Sequence, residues 1–189
     1  MAARTVSKPI EITDPPIAVK LFGSTRWSWV WLIVRLVLGY DWLSHGIEKL
    51  TSAAWMSGDA LKGFWTAAVV VPDAPARPAI AFGWYRSFIE FLLSSGSYTW
   101  FAKLVAVGEF LVGVALILGL FTGIAAFFGG FMNWNFMMAG SASTNPLLFV
   151  VAMFLVLAWK TAGWWGLDRW LLPTLGTPWK PGQLFTKRE

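Results

Sequence analysis

Between Trp27 and Leu50 the chain runs for the length of a bilayer-crossing helix, yet that run holds Arg35, Asp41, His45, Glu48 and Lys49. About 20 mostly apolar residues match the hydrocarbon thickness of a membrane. Ionisable groups inside such a helix are costly, and they turn toward a protein interior rather than lipid. The chain is thereby restricted to folds in which neighbouring helices shelter these charges. Composition agrees: 57% of the 189 residues are hydrophobic and 13% charged, with a mean hydropathy of +0.59, against about a quarter charged in soluble domains. Fourteen Trp residues suit the two membrane–water interfaces, where the indole buries its ring and wets its N–H.

Three more apolar runs follow, at about 100–120, 122–139 and 146–163. The second and third are joined only by Gly119-Leu120-Phe121-Thr122-Gly123, and the third and fourth by Gly140 to Asn145, so both pairs form antiparallel hairpins. Asn145 is a candidate N-cap, with Pro146 at the first helical position. The expected fold is all-α: an integral membrane, antiparallel four-helix bundle with a long extracytoplasmic loop, 51–99, carrying short amphipathic helices. Residues 1–26 and 164–189 are then cytoplasmic tails flanking a transmembrane domain at 27–163. The tails hold Arg4, Lys8, Lys20 and Arg26, and Arg169, Lys180, Lys187 and Arg188, with Lys160 at the end of the fourth run, which places both termini in the cytoplasm of a multi-pass protein. The same placement explains a net charge of +5 through anionic headgroups, without nucleic acid. The first apolar run is too long, and its polar lead-in atypical, for a cleaved leader.

Within the long loop, Trp84, Phe88, Phe91 and Leu92 recur at helical spacing opposite Arg86 and Glu90, which predicts an amphipathic helix on the outer surface or across the bundle end. Leu61 to Val71 predicts a similar piece. Small residues four apart, Ala115/Gly119, Ala125/Gly129 and Ala126/Gly130, let helix backbones approach closely and place the third span at the centre of the packing. Asn133 and Asn135 lie near the outer part of that span, and at least one is expected to hydrogen-bond within the bundle as structural glue.

Asp41, His45 and Glu48 are spaced four and three apart and share one stripe of the first helix. At a rise of about 1.5 Å per residue, Arg35 lies roughly 12 Å, and Glu109 roughly 15 Å, from the inner ends of their spans. Matching depth predicts a buried Arg35–Glu109 ion pair. His45 is the only histidine and Cys is absent, so bis-His haem, multi-His metal sites, disulfides and Cys-ligated clusters are excluded. A single histidine with two carboxylates could still hold a metal, and His with Met a haem. A quinone fits the residue types better: an imidazole can bond a quinone carbonyl, a neighbouring carboxylate can move a proton, and Trp42 with nearby Phe residues supplies apolar walls. Against it stands a purely structural reading, in which the stripe holds the first helix in register. The quinone candidates are His45, Asp41, Trp42 and Glu48; no metal, haem, iron–sulfur or covalent cofactor is expected.

The run Arg35-Leu-Val-Leu-Gly39 followed by His45-Gly46-Ile47-Glu48-Lys49-Leu50 resembles the first-helix signature of the DoxX family. Glu109-Phe-Leu-Val-Gly113 leading into Leu116-Ile-Leu-Gly119-Leu-Phe-Thr122 is similar to its second-helix motif, and Asn145-Pro146 also fits. The long loop with its Trp- and Phe-bearing helix resembles the DoxD type, the larger membrane subunit of thiosulfate:quinone oxidoreductase. That resemblance implies a four-helix bundle in a bacterial or archaeal plasma membrane, passing electrons from thiosulfate or another small reductant to quinone alongside a separate partner subunit. Without Cys, no thiosulfonate can form on this chain. The other reading is a non-catalytic accessory subunit of a respiratory or photosynthetic complex, docked through its Trp- and Pro-containing tails. Partners in either case are lipids and other membrane or extracytoplasmic subunits.

Overall fold

The computed structural model describes residues 13–177 and 180–186. The outermost tail residues, with Arg4, Lys8, Lys187 and Arg188, lie outside them. Among the described residues the chain is mostly helical, and its regular elements follow the apolar runs closely. Helix α1 (Pro16–Gly23) leads through a short 3-10 turn into α2 (Ser28–Thr51). The long loop folds into α3 (Ala53–Ser57), α4 (Asp59–Ala68) and α5 (Gly83–Ser94). Then come α6 (Tyr98–Leu118), α7 (Thr122–Met138), α8 (Asn145–Leu157) and α9 (Trp159–Ala162). The chain closes with α10 (Asp168–Leu175) and a two-stranded antiparallel hairpin, β1 (Gly176–Thr177) and β2 (Lys180–Pro181).

Helices α2, α6, α7 and α8 each touch the next, and α8 returns to α2. One of the described helices, α6, is both long and apolar enough to cross a bilayer, with a mean hydropathy of 2.2; α8 is apolar but shorter. Helix α2 has the length, but its charges lower its hydropathy.

The tightest packing is between α2 and α6 rather than around α7, which corrects the expectation that the third span is central. Glycines explain it. A Cβ added to Gly46 would lie 2.5 Å from the Phe110 backbone nitrogen, and one on Gly39 would come within 3.0 Å of the Leu116 and Ile117 side chains. Gly113 on α6 meets the Leu43 backbone in the same way. These contacts fix an antiparallel register that sets Gly46 against Phe110 and Arg35 against the C-terminus of α6. The small residues of α7 do pack as expected: Gly129 faces Trp42 and Val112, and Gly130 faces Ala152 and Met153.

The loop helices exist where spacing placed them, but the face of α5 is different. Tyr85, Ile89 and Leu92 are buried, whereas Trp84, Phe88 and Phe91 are exposed. The apolar arc of the helix is broad, and only the half bearing Tyr85, Ile89 and Leu92 turns inward, a choice that periodicity alone does not make. Helix α4 buries Leu61, Trp65 and Ala68, and with α5, Ile80, Ala102 and Ala139 it forms a second core at one end of the bundle. The fourth apolar run bends at Ala158, where α8 gives way to α9. Asn145 is the first helical residue, with Thr144 at the N-cap position; its amide donates back to the Ser141 carbonyl at 3.0 Å.

Parts of both tails belong to the fold. Phe22 of α1 stacks on Trp31, the Trp31 indole N–H donates to the Leu21 carbonyl at 2.8 Å, and the Thr161 hydroxyl donates to the Phe22 carbonyl at 3.1 Å. Beyond α9 the chain folds under the α6–α7 turn, where the Leu167 and Asp168 amides donate to the Leu118 and Gly119 carbonyls.

Candidate functional site

Two buried charges were expected to neutralise each other, and they do not. Arg35 is 1% exposed, and its guanidinium donates to the carbonyls of Leu116 (2.6 Å), Ile117 (3.0 Å) and Trp165 (3.3 Å). It satisfies the C-terminal end of α6, where helix carbonyls lack intrahelical donors. Asp168 does the converse beside it: its carboxylate accepts from the Phe121 (2.6 Å) and Thr122 (2.8 Å) amides at the start of α7. Glu109, also 1% exposed, lies near the other end and takes both of its short contacts, 2.6 Å each, from Lys49 Nζ. Matching depths failed because α2 begins about three turns below the C-terminus of α6, so equal distances from the two helix ends are not equal heights.

Lys49 is the residue missed as Glu109's partner. Its ammonium sits 4.9 Å from the Trp55 ring centroid and 5.4 Å from that of Phe136, so one carboxylate and two aromatic faces surround it. Lys49 was within reach of the same face in the sequence: Asp41, His45 and Lys49 repeat every four residues, a stripe only slightly more slanted than the one drawn through Glu48.

This stripe borders a cavity of about 460 Å³ between α2, α7, α8 and the loop helices. Asp41, Trp42, His45, Lys49, Glu109 and Asn133 line it, with Trp55, Phe64 and Phe136 as apolar walls. The α7–α8 connection adds Ser141, Ser143, Thr144 and Asn145. Three of the four quinone candidates, Asp41, Trp42 and His45, are thus brought together. Glu48 is exposed and is not among the lining residues. His45 Nδ1 lies 2.8 Å from the Asp41 carbonyl and 3.7 Å from its carboxylate; the two side chains are 53% and 35% exposed, so they form the open side of the cavity.

The deep side is unusual in its bonding. Asn133 is 1% exposed, and neither its amide nitrogen nor its oxygen has a hydrogen-bond partner. The Trp42 indole N–H, 3 Å from where a Gly129 Cβ would stand, is also without one. Buried polar groups are nearly always bonded, and an unmade bond costs about 1–3 kcal/mol. Asn133 and Gly129 lie one turn apart on α7, so these unmet donors and acceptor belong to one neighbourhood. Of the two span asparagines, Asn133 makes no such bond. Asn135 does bond within the bundle: it accepts from the Tyr85 hydroxyl at 3.1 Å and donates to the Phe131 carbonyl at 2.8 Å. Among the described residues no group of three or more His, Cys, Asp or Glu is arranged to hold a metal ion.

A second, apolar cavity of about 690 Å³ lies between α4, α5, α6 and α7. Both volumes fall in the range of small-molecule sites, about 300–1,000 Å³.

Comparison with known proteins gives one family. Residues 30–142, more than half of the chain, match the family model described as DoxX. No curated protein and no solved structure gives a match.

Proposed function

The chain belongs to the DoxX family, and on that premise we propose that it is a membrane-spanning redox subunit whose polar cavity binds a quinone headgroup. Four-fold crossing by α2, α6, α7 and the α8–α9 pair is supported by an inside-out distribution of side chains. Val37 and Tyr40 of α2, Leu104 and Leu111 of α6, Ile124 and Phe128 of α7, and Leu147 and Leu157 of α8 are all exposed, while Arg35, Glu109 and Asn133 are buried. Apolar surface on this scale needs a covering, and lipid supplies one.

One observation carries the headgroup reading: the Asn133 amide, unpartnered and buried beside a cavity of ligand size. A bound quinone supplies a two-electron, two-proton couple with a carbonyl acceptor at each end of a flat ring. The Asn133 N–H and the Trp42 N–H are donors for such a carbonyl, and the Phe64, Phe136 and Trp55 rings form walls suited to a planar ring. His45 and Asp41, on the open side, can exchange protons with bulk and hand them inward. Lys49 holds positive charge near the ring, which favours electron arrival. The donor implied by the DoxD-like resemblance is thiosulfate: two thiosulfates joined as tetrathionate release two electrons, and two protons from the His45 side complete the reduced quinone. An accessory, non-catalytic role is the alternative, but α1 and residues 164–168 place their polar contacts on this chain's own bundle.

Calorimetric titration of the purified protein with a tail-less benzoquinone tests the reading. Saturable binding is expected, weakened at least tenfold in Asn133→Leu. Thiosulfate-dependent quinone reduction should be lost in His45→Ala while binding survives. No saturable binding by the unmodified protein would overturn the proposal.

A further inference from the structure

The polar and apolar cavities share Leu61, Phe64 and Phe136 in their linings. On α6, Glu109 faces the polar cavity while Gly108 and Val112 line the apolar one. Phe64 and Phe136 are thus a common wall between the space beside Asn133 and a space walled almost wholly by hydrocarbon. That space reaches the bundle surface: Leu104, Leu111, Phe128 and Phe131 line it and are also exposed. Tyr85, Trp134 and Asn135 close its outer end, where the Tyr85 hydroxyl is already held by Asn135.

We propose that the apolar cavity beneath α4 and α5 holds the isoprenoid tail of the quinone whose headgroup occupies the polar cavity, so that the ligand threads between α4 and α7 at Phe64 and Phe136. The inference rests on the headgroup reading and adds to it the ligand's class, a long-chain lipid quinone, and its path. It also gives α5 a purpose. A helix that buries Tyr85, Ile89 and Leu92, and whose exposed Trp84 and Phe88 also line the cavity while Phe91 turns outward, is a cover at the cavity's mouth. Gly108 leaves room in the apolar cavity. A Cβ there would meet only Met132 Sδ, at 3.4 Å, so a larger side chain at 108 enters the cavity instead of breaking a helix contact.

Photolabelling in nanodiscs separates the parts. One quinone probe carries a diazirine on the ring, a second carries it at the end of a three-isoprene tail, and a third is the tail hydrocarbon alone. The ring probe is expected to label near Trp42 and Asn133, and the tail probe to label Phe88, Leu111 or Phe131. The hydrocarbon alone should label these residues at least tenfold less. In Gly108→Leu, tail labelling should fall at least fivefold while ring labelling persists, which also shows that the variant is folded. Ring labelling in place with tail labelling on the outer face of α2, at Val37 or Tyr40, would sink the tail assignment alone. Equal labelling by the hydrocarbon would sink it too, making the cavity a general lipid slot. Failure of the ring probe to label the polar cavity would remove both readings.

Discussion

Arg35 and Lys49 stand fourteen residues apart on α2, each a buried or half-buried cation, and their surroundings differ in kind. Around Arg35 the bonding is close to saturated: three carbonyls take its protons, Asp168 sits nearby capping the next helix, and the Gly119 and Gly166 backbones leave no room for a Cβ. Around Lys49 a single carboxylate is met, two aromatic rings stand off at about 5 Å, and a cavity opens beside an Asn and a Trp with nothing to bond. Buried charge is used at one end to close a tight turn and at the other to border a space. A binding site belongs at the second end, because there the unmet groups of Asn133 and Trp42 border a cavity, whereas the unpartnered Arg35 Nε and Thr122 Oγ1 at the first line neither of the two cavities.

The largest effect should come from Arg35→Met. It leaves three buried or part-buried carbonyls without their donor and removes the cation beside Asp168, so a loss of about 3–5 kcal/mol is expected. Thermal unfolding in detergent should show a much lower midpoint, or no folded protein. A midpoint within a few degrees of the original would show that the Arg35 end is not the structural one.

Lys49→Met comes next. Glu109 would be left buried without its partner, at an expected cost of about 3 kcal/mol, reduced to the extent that the carboxyl takes up a proton. Adding Glu109→Gln should restore most of that loss, whereas no second substitution at Asp168 should rescue Arg35→Met. A double-mutant cycle measures this difference between the two ends; equal rescue at both would erase it.

Asp168→Asn should cost about 1 kcal/mol, the usual scale for losing a helix-capping acceptor, with headgroup binding unchanged. Binding that fell with this substitution would couple the two ends and weaken the contrast between them.

How far the sequence disclosed all this depends on the kind of contact. The boundaries of α2, α6 and α7 follow from apolar length and the intervening glycines, and the inward aim of Arg35 and Glu109 follows from the cost of charge in lipid. Partners across helices did not follow, because register is set by Gly39, Gly46 and Gly113, whose role appears only when the backbones meet. Asp168 was invisible for a similar reason: it caps a helix 46 residues earlier in the chain, and no local pattern marks it. The stripe at Asp41 and His45 was legible, but its continuation to Lys49 was hidden by the more familiar pairing of a carboxylate with a histidine. The inner face of α5 was unreadable because its apolar arc is wider than the face that packs, and Tyr85, Ile89 and Leu92 occupy only half of it.

Asn133→Leu should have the smallest effect on stability and is the sharpest test of the comparison. Replacing an amide whose nitrogen and oxygen are both unbonded by an apolar side chain of similar size removes a penalty already present in the fold. The unfolding midpoint of the ligand-free protein should therefore stay the same or rise slightly. With a saturating tail-less quinone the order should reverse. The unmodified protein gains about 2.7 kcal/mol at a hundredfold excess over Kd, while the variant gains almost nothing. If Asn133→Leu instead lowers stability by as much as Lys49→Met, Asn133 is bonded in the working protein by something other than a ligand. The polar cavity would then be structural too, and the two ends of α2 would be alike after all.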